Sequence, residues 1–133
     1  MEINDKLLQE ANKAKNNAYA PYSNYKVGAS ILSESGKIYS SCNVENISFP
    51  CGTCAEAGAI ASMVAGGDKK ISSILIVAEA KELVYPCGAC LQRIAEFSDE
   101  NTIIYLADAK KICKQYYLRE LLPQDFTATE LKK

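Results

Sequence analysis

The chain has 133 residues, a formal net charge of −1 and 48% apolar residues, which is typical of one soluble globular domain with a single core. This charge balance gives no bulk attraction to polyanions, and the three lysine pairs read as solvated loop and tail charges, so we expect no nucleic-acid binding. The longest apolar run, residues 74–78, is too short to span a membrane. The polar, acidic N-terminus does not resemble a signal peptide, so we expect a cytoplasmic protein with reduced thiols.

Hydrophobic periodicity and turn residues predict helices and strands along the whole chain. In chain order they are a helix over 4–18, strands over 27–32 and 37–42, a helix over 53–66, a strand over 71–78, a helix that follows 86–90, strands over 102–107 and 112–117, and a short helix over 118–122.

The links between these elements predict the fold class. Ser35-Gly36 is a turn that joins the first two strands into a hairpin. Residues 108–111 are too few to join parallel strands, so the last two strands should be antiparallel. We therefore predict an α/β fold, a three-layer α/β/α sandwich around a mixed sheet of about five strands.

The sequence contains six cysteines and no histidine. The lack of histidine excludes Ser-His and Cys-His nucleophilic mechanisms and every His-containing metal site. In a reducing compartment, cysteines at this density indicate metal binding or catalysis before disulfides. Proton transfer must then rest on Glu, Asp, Lys, Tyr or Cys, and any catalytic zinc must be held mainly by sulfur.

Two Cys-x-x-Cys pairs, Cys51 with Cys54 and Cys87 with Cys90, each run into a predicted helix. One interpretation is a structural four-cysteine zinc site, although such pairs usually stand on tight turns of small hairpins. A second is a redox dithiol of the thioredoxin type. A third is a catalytic zinc held by three thiolates, with its fourth position open to water.

Glu56 follows Cys54 by two residues and also has two interpretations. Thr53-x-x-Glu56 is a capping-box pattern, in which the glutamate bonds back to the helix start. If the two cysteine-bearing helix starts converge, their positive ends would favour thiolates, and Glu56 would lie near the open position. There it would move protons between water and a substrate.

These residues resemble the zinc-dependent cytidine and deoxycytidylate deaminases over nearly the whole chain. The matching segments are residues 18–29, Cys42-Asn43-Val44-Glu45-Asn46, Cys54-Ala55-Glu56, Pro86-Cys87-Gly88-Ala89-Cys90, and Glu120-Leu121-Leu122-Pro123 followed by Phe126. The resemblance implies one deaminase-like catalytic domain over 1–133, which hydrolyses cytidine and 2'-deoxycytidine to uridine and 2'-deoxyuridine in pyrimidine salvage. The alternatives are a deaminase of another small cytosine compound, such as blasticidin S, and a structural zinc module without catalysis.

The resemblance also implies roles for individual residues. One zinc ion per subunit would be held by Cys54, Cys87 and Cys90, with Glu56 as the catalytic proton carrier. The implied substrate contacts are Asn43 and Glu45 at the sugar hydroxyls, Tyr25 beside the pyrimidine ring, Ala55 at the base through its backbone, and Phe49 and Phe126 in the pockets of neighbouring subunits. The implied assembly is a homotetramer with shared active sites.

Two positions depart from the family pattern. Many relatives have an arginine directly after the catalytic glutamate and another directly after the last cysteine, where this chain has Ala57 and Leu91. Arg93 is the nearest cation, and it is our candidate for offsetting the thiolate charge. We expect Cys51 to be dispensable for zinc, and the remaining two cysteines to be small buried hydrophobes: Cys42 and Cys113.

Overall fold

A five-stranded sheet runs through the middle of the molecule and carries helices on both faces. The structure is a computed structural model that describes residues 2–79 and 83–127. Its elements are α1 (Ile3–Asn16), β1 (Val27–Ser33), β2 (Ile38–Cys42), a single 3-10 turn (Phe49–Cys51), α2 (Ala55–Ala65), β3 (Ile71–Ala78), α3 (Gly88–Glu96), β4 (Ile103–Ala107), β5 (Ile112–Tyr117) and α4 (Leu118–Leu121).

The strand order is β2-β1-β3-β4-β5, and the sheet is mixed. β1 pairs antiparallel with both β2 and β3, β3 pairs parallel with β4 across the α3 crossover, and β4 pairs antiparallel with β5. Gly36 makes the β1–β2 turn possible because its φ is +88°, a conformation that glycine adopts without steric cost. Both predicted hairpins are present, and the predicted α/β class is confirmed.

β3 lies at the centre of the sheet and is buried on both faces. Its Leu75 and Val77 pack in one cluster with Leu7 and Ala11 of α1. The β3 side chains on the opposite face, such as Ile76, pack in a second cluster with residues of α2 and α3. Side chains alternate across a strand, so a nearly continuous apolar sequence is what a two-sided core requires. Burying one such side chain is worth about 1.5–3 kcal/mol.

α2 approaches the edge hairpin closely because its first half carries small residues. A Cβ placed on Gly58 would lie 2.2 Å from the Ser41 Oγ of β2, so no larger residue fits without movement. The helix begins at Ala55, two residues later than predicted, because Cys54 is extended (φ −78°, ψ 160°) and serves as the N-cap residue. This packing places α2 over β2 and β1, at one side of the sheet.

The two cysteines expected to be buried are not. Cys113, on the edge strand β5, is exposed, and Cys42 is half-buried. Edge position explains the first case, since one side of β5 has no neighbouring strand in the sheet. Among the helices of the described ranges, none has the length and apolar character needed to cross a membrane.

Candidate active site

The starts of α2 and α3 meet and bring two cysteines and a glutamate together. The ligand atoms of Cys54, Glu56 and Cys90 all lie within 4.8 Å of one another. The two sulfur atoms are 2.7 Å apart, although 36 positions separate the residues in the sequence. Glu56 and Cys90 are buried, and Cys54 is half-buried. The convergence proposed from the two helix starts is therefore present.

An isolated strand bridge sets the position of Cys54. The backbone N–H of Val44 donates to the Thr53 carbonyl at 2.9 Å, and the Thr53 N–H donates back to the Val44 carbonyl at 2.9 Å. Thr53 is therefore held extended, and Cys54 takes the N-cap position with no side-chain cap bond. The capping-box interpretation of Glu56 is wrong for this reason. The same bridge places the segment that carries Glu45 next to Cys54.

The thiols of Cys54 and Cys90 lie within hydrogen-bonding distance of each other. The hydrogen bond from Cys90 holds the pKa of Cys54 at about 6, with smaller help from the Ala57 backbone N–H and the Arg93 charge. The same contact, together with burial, raises the pKa of Cys90. Without a bound metal ion, this contact favours the thiolate form at Cys54 over the thiolate form at Cys90.

Glu56 lies almost completely inside the protein, with a side chain only 6% exposed. Burial raises its pKa, and the neighbouring Cys54 thiolate raises it further. A carboxyl whose pKa is raised holds a proton more readily than an exposed one, which favours a role in general acid–base catalysis.

Arg93 contacts both sulfurs. Its Nη1 lies 3.4 Å from the Cys90 Sγ and 3.7 Å from the Cys54 Sγ. Arg93 stands three residues after Cys90 on α3, so the two side chains share one face of the helix. Its guanidinium is the cation beside this sulfur pair, where Ala57 and Leu91 supply none.

The structure does not bring every predicted ligand into the cluster. Cys87 is the N-cap residue of α3 and is exposed, and its Sγ is not among the atoms that lie within 4.8 Å of one another. It is close enough for its charge to raise the pKa of Cys90. Cys51 is exposed in the 3-10 turn, where its thiol lies 3.5 Å from the Ser48 Oγ. A four-cysteine site would need Cys51 in the cluster.

The donor set fits a zinc ion. Two converging thiols, a third thiol close enough to act on the pKa of Cys90 and an adjacent buried carboxylate form a sulfur-rich set of the kind that selects zinc. The guanidinium of Arg93 fits the same purpose, because it offsets negative charge on the sulfurs. Three sulfur ligands would leave one position of a tetrahedral ion open beside Glu56.

A cavity of about 360 Å³ reaches Thr53, the residue that precedes Cys54, although none of the three cluster residues lines it. Its lining residues are Tyr22, Ser23, Val44, Glu45, Asn46, Phe49, Gly52 and Thr53. The Glu45 carboxylate accepts the backbone N–H groups of Tyr22 at 2.9 Å and Ser23 at 3.1 Å, and it also accepts the Ser23 hydroxyl. These hydrogen bonds, the one from the Ser23 hydroxyl first, lower the pKa of Glu45. Its carboxylate is therefore ionised at neutral pH.

The other predicted substrate residues have varied surroundings. Asn43 accepts the Val27 N–H at 2.9 Å through Oδ1 and donates to the Tyr25 carbonyl at 2.8 Å through Nδ2. Tyr25 is half-buried, and Ala55 is fully buried. Phe49 is 73% exposed at the cavity, and its ring centroid lies 6.2 Å from that of Tyr22.

Phe126 lies away from that cavity, and its side chain is 60% exposed. Its backbone pairs with the Gln92 side chain on α3. Sequence analysis missed this partner, as it missed Ser23 as the partner of Glu45. Neither contact has a local signal, because the partners are 34 and 22 positions apart.

Known proteins match the chain over most of its length. Residues 1–106 match the family model described as the cytidine and deoxycytidylate deaminase zinc-binding region. The cytidine deaminase of Sporosarcina psychrophila is 39% identical over 127 residues, which is 96% of this chain and 93% of that protein. A crystal structure of cytidine deaminase from Burkholderia pseudomallei has a TM-score of 0.87 at 35% identity, and the match covers 95% of this chain and 100% of that one. A more distant relative, blasticidin-S deaminase of Bacillus cereus, is 28% identical over 111 residues, 77% of this chain and 78% of that protein.

The α/β fold and a sulfur-and-carboxylate cluster that could hold a metal ion agree with the family model and the named relatives, which place the chain among zinc-binding enzymes. Within that class, the chain belongs to the cytidine and deoxycytidylate deaminase family, whose zinc-binding region it contains.

Proposed function

We propose that this chain hydrolyses cytidine and 2'-deoxycytidine to uridine and 2'-deoxyuridine, with release of ammonia, in pyrimidine salvage. The observation that carries the proposal is the buried Glu56 carboxyl within 4.8 Å of the Cys54 and Cys90 thiols. The relatives named as cytidine deaminases support the choice of substrate. Residues 1–133 act as one catalytic domain.

We assign one zinc ion per subunit to Cys54, Cys87 and Cys90. When bound, zinc supplies a Lewis acid that makes water a good nucleophile near neutral pH. Three thiolates carry more negative charge than the ion neutralises. Arg93, with Nη1 at 3.4 Å and 3.7 Å from two of the sulfurs, offsets the excess.

Glu56 moves the protons of the reaction. Its carboxylate takes a proton from the attacking water and delivers it to N3 of the pyrimidine ring, which makes C4 more electrophilic. It then carries the second proton of that water to the departing amino group, so that cytidine and water give uridine and ammonia. The raised pKa of Glu56 suits both directions, since the same group must accept and donate.

The cavity that reaches Thr53 receives the nucleoside. The Glu45 carboxylate is fixed by Tyr22 and Ser23 and stays ionised, and a carboxylate has acceptor capacity left for the sugar hydroxyls. Asn43 contributes to the same end of the pocket. Tyr25 flanks the pyrimidine, and the Ala55 backbone contacts the base.

The enzyme is a homotetramer whose active sites are shared between subunits. Large apolar side chains are exposed around the cavity, among them Phe49 at 73% and Ile47 at 74%, and such patches mark interaction surfaces. Phe49 and Phe126 complete the pockets of neighbouring subunits. All six cysteines are free thiols, in keeping with a cytoplasmic location.

One assay separates this function from its alternatives. The zinc content of the purified protein is measured, and ammonia release is followed with cytidine, deoxycytidine and blasticidin S as substrates. We expect one zinc per subunit and turnover of the first two. Blasticidin S is included because the chain is similar to a blasticidin-S deaminase. Turnover of blasticidin S alone would contradict the proposed substrate. Bound zinc without turnover would indicate a structural module.

A further inference from the structure

The side-chain amide of Gln92 forms hydrogen bonds with both the N–H and the carbonyl of Phe126. Gln92 Nε2 donates to the Phe126 carbonyl at 2.9 Å, and the Phe126 N–H donates to Gln92 Oε1 at 3.0 Å. A backbone N–H can only donate, so the amide oxygen must face it, and the NH₂ group is left for the carbonyl. The two bonds form a closed pair of the kind that joins neighbouring strands.

This pair is how the end of the described chain is held. Within residues 2–79 and 83–127, both hydrogen bonds that residues 123–127 make with the rest of the protein go to Gln92. The segment follows α4, belongs to no helix or strand, and carries Phe126 as an exposed ring. Gln92 is therefore the contact that fixes where the ring stands.

Gln92 is itself held by the helix of the active site. It lies between Leu91, which is buried in the core, and Arg93, which contacts the sulfurs of Cys54 and Cys90. A rigid helix thus links the thiol cluster to the position of Phe126 through one side chain. Each neutral hydrogen bond to a long, flexible side chain is weak by itself. Here both bonds form for a single loss of side-chain conformational entropy, that of Gln92.

We propose that Gln92 is a positioning residue, which holds Phe126 in place and thereby sets the affinity for the nucleoside. The inference rests on the proposed function, in which Phe126 completes a substrate pocket. It assigns Gln92 no contact with the reacting atoms, so its loss acts on KM and leaves kcat nearly unchanged.

The first test measures how firmly Gln92 holds the Phe126 backbone and does not depend on enzyme activity. Hydrogen exchange at the Phe126 amide is measured in the zinc-loaded protein and in Gln92→Ala, where we expect exchange to be at least about tenfold faster because the acceptor is gone. Gln92→Glu keeps an acceptor for the N–H but sets a carboxylate oxygen against the carbonyl, so exchange should be intermediate. Gln9→Ala makes the same change on the exposed side of α1 and should leave the Phe126 amide unaffected.

The second test links the anchor to substrate. We expect Gln92→Ala to raise KM for cytidine about five- to fiftyfold, the equivalent of one or two neutral hydrogen bonds, while kcat changes less than about twofold. In a Phe126→Ala background, Gln92→Ala should add nothing further, because it acts through that ring.

Three results would overturn the inference. Unchanged exchange at Phe126 would show that Gln92 does not hold it. Faster exchange with an unchanged KM would show that the two hydrogen bonds hold the chain but do not affect substrate affinity. Full additivity of the two substitutions would mean that Gln92 acts by another route. A wild-type protein without turnover would refute the proposed function and the nucleoside role, while the exchange result would still decide the anchor.

Discussion

Arg93 on α3 reaches back one turn and places its Nη1 3.4 Å from the sulfur of Cys90. The same atom lies 3.7 Å from Cys54 on the other helix. A single guanidinium therefore faces the sulfurs that two separate helix starts bring together. This geometry offers a solution to a problem that the sequence raises, because Ala57 and Leu91 leave the cluster without the arginines found in many relatives.

Arg93→Ala should weaken zinc binding. Loss of a group that hydrogen-bonds to metal ligands typically lowers metal affinity about 10- to 100-fold, and competition with a chelator measures it directly. Ala57 and Arg93 line the same surface groove, so Ala57→Arg in the Arg93→Ala background should recover part of the affinity. Equal zinc affinity in the wild type and Arg93→Ala would remove Arg93 from the site.

The cysteines should separate into ligands and bystanders. We expect Cys87→Ser and Cys90→Ser to lose zinc, whereas Cys51→Ser keeps one zinc per subunit and its activity. Cys87 is close enough for its charge to act on Cys90, whereas the Cys51 thiol faces Ser48 in the 3-10 turn. Cys113→Ser, on the exposed edge strand, is the matched control. Metal analysis of the four purified variants checks the assignment, and zinc loss in Cys51→Ser would revive the four-sulfur structural site.

Asp68 should make stability depend on acid pH. Its Oδ2 accepts the hydroxyls of Tyr39 at 2.7 Å, Ser35 at 2.7 Å and Ser33 at 3.0 Å. These bonds, the Tyr39 bond first, lower the pKa of Asp68 below its ordinary value of 3.8. A lowered pKa stabilises the fold above the unfolded value, and the contribution is lost as pH falls through the folded value.

Asp68→Asn should therefore lower the free energy of unfolding at pH 7, and the difference from the wild type should shrink as pH falls below 3.8. Urea unfolding over a pH series measures it. Glu100→Gln, at an exposed position, is the control. If the difference in unfolding free energy stayed constant with pH, the charge on Asp68 would not be what stabilises its contacts with the three hydroxyls.

Gly58→Ala should destabilise the protein. The new Cβ would lie 2.2 Å from the Ser41 Oγ and 3.0 Å from its Cβ, so the Ser41 side chain must turn away and its Cβ must give way. Overpacking of this kind costs about 1–3 kcal/mol. Gly88→Ala is the control, because a Cβ there meets nothing within 4 Å. If both substitutions left the urea midpoint unchanged, the close approach of α2 to β2 would be wrong.

The sequence predicts elements well where hydrophobic pattern and local chemistry agree. β3 and β5 have their predicted bounds. β3 is one apolar-rich run between turns, and β5 begins after the 108–111 turn and ends where α4 starts at Leu118. α1 begins at Ile3 and ends at Asn16, two residues before the predicted end, because the N–H of Asn17 donates to the Ala14 carbonyl and that of Ala18 to the Lys15 carbonyl, which closes the last turn. The error at Thr53 has a tertiary origin: its bridge to Val44 takes both of its backbone groups away from the helix.

Within the candidate site, motif spacing was enough to select Cys54, Glu56 and Cys90, which the fold brings together. It did not indicate that Asn43 and Glu45 are engaged by backbone groups of the preceding loop. Nor did it show how Phe126 is held. These contacts join segments more than fifteen positions apart, where neither periodicity nor turn chemistry carries information.

The most direct test of the account is the paired zinc content and kcat of Glu56→Gln. The substitution keeps the size of a side chain that is 6% exposed but removes its ability to exchange a proton. We expect one zinc per subunit, a wild-type unfolding transition and a kcat for cytidine at least about 10²–10⁴-fold lower. Zinc loss would make Glu56 a ligand, and substantial turnover with zinc in place would contradict its role as the proton carrier.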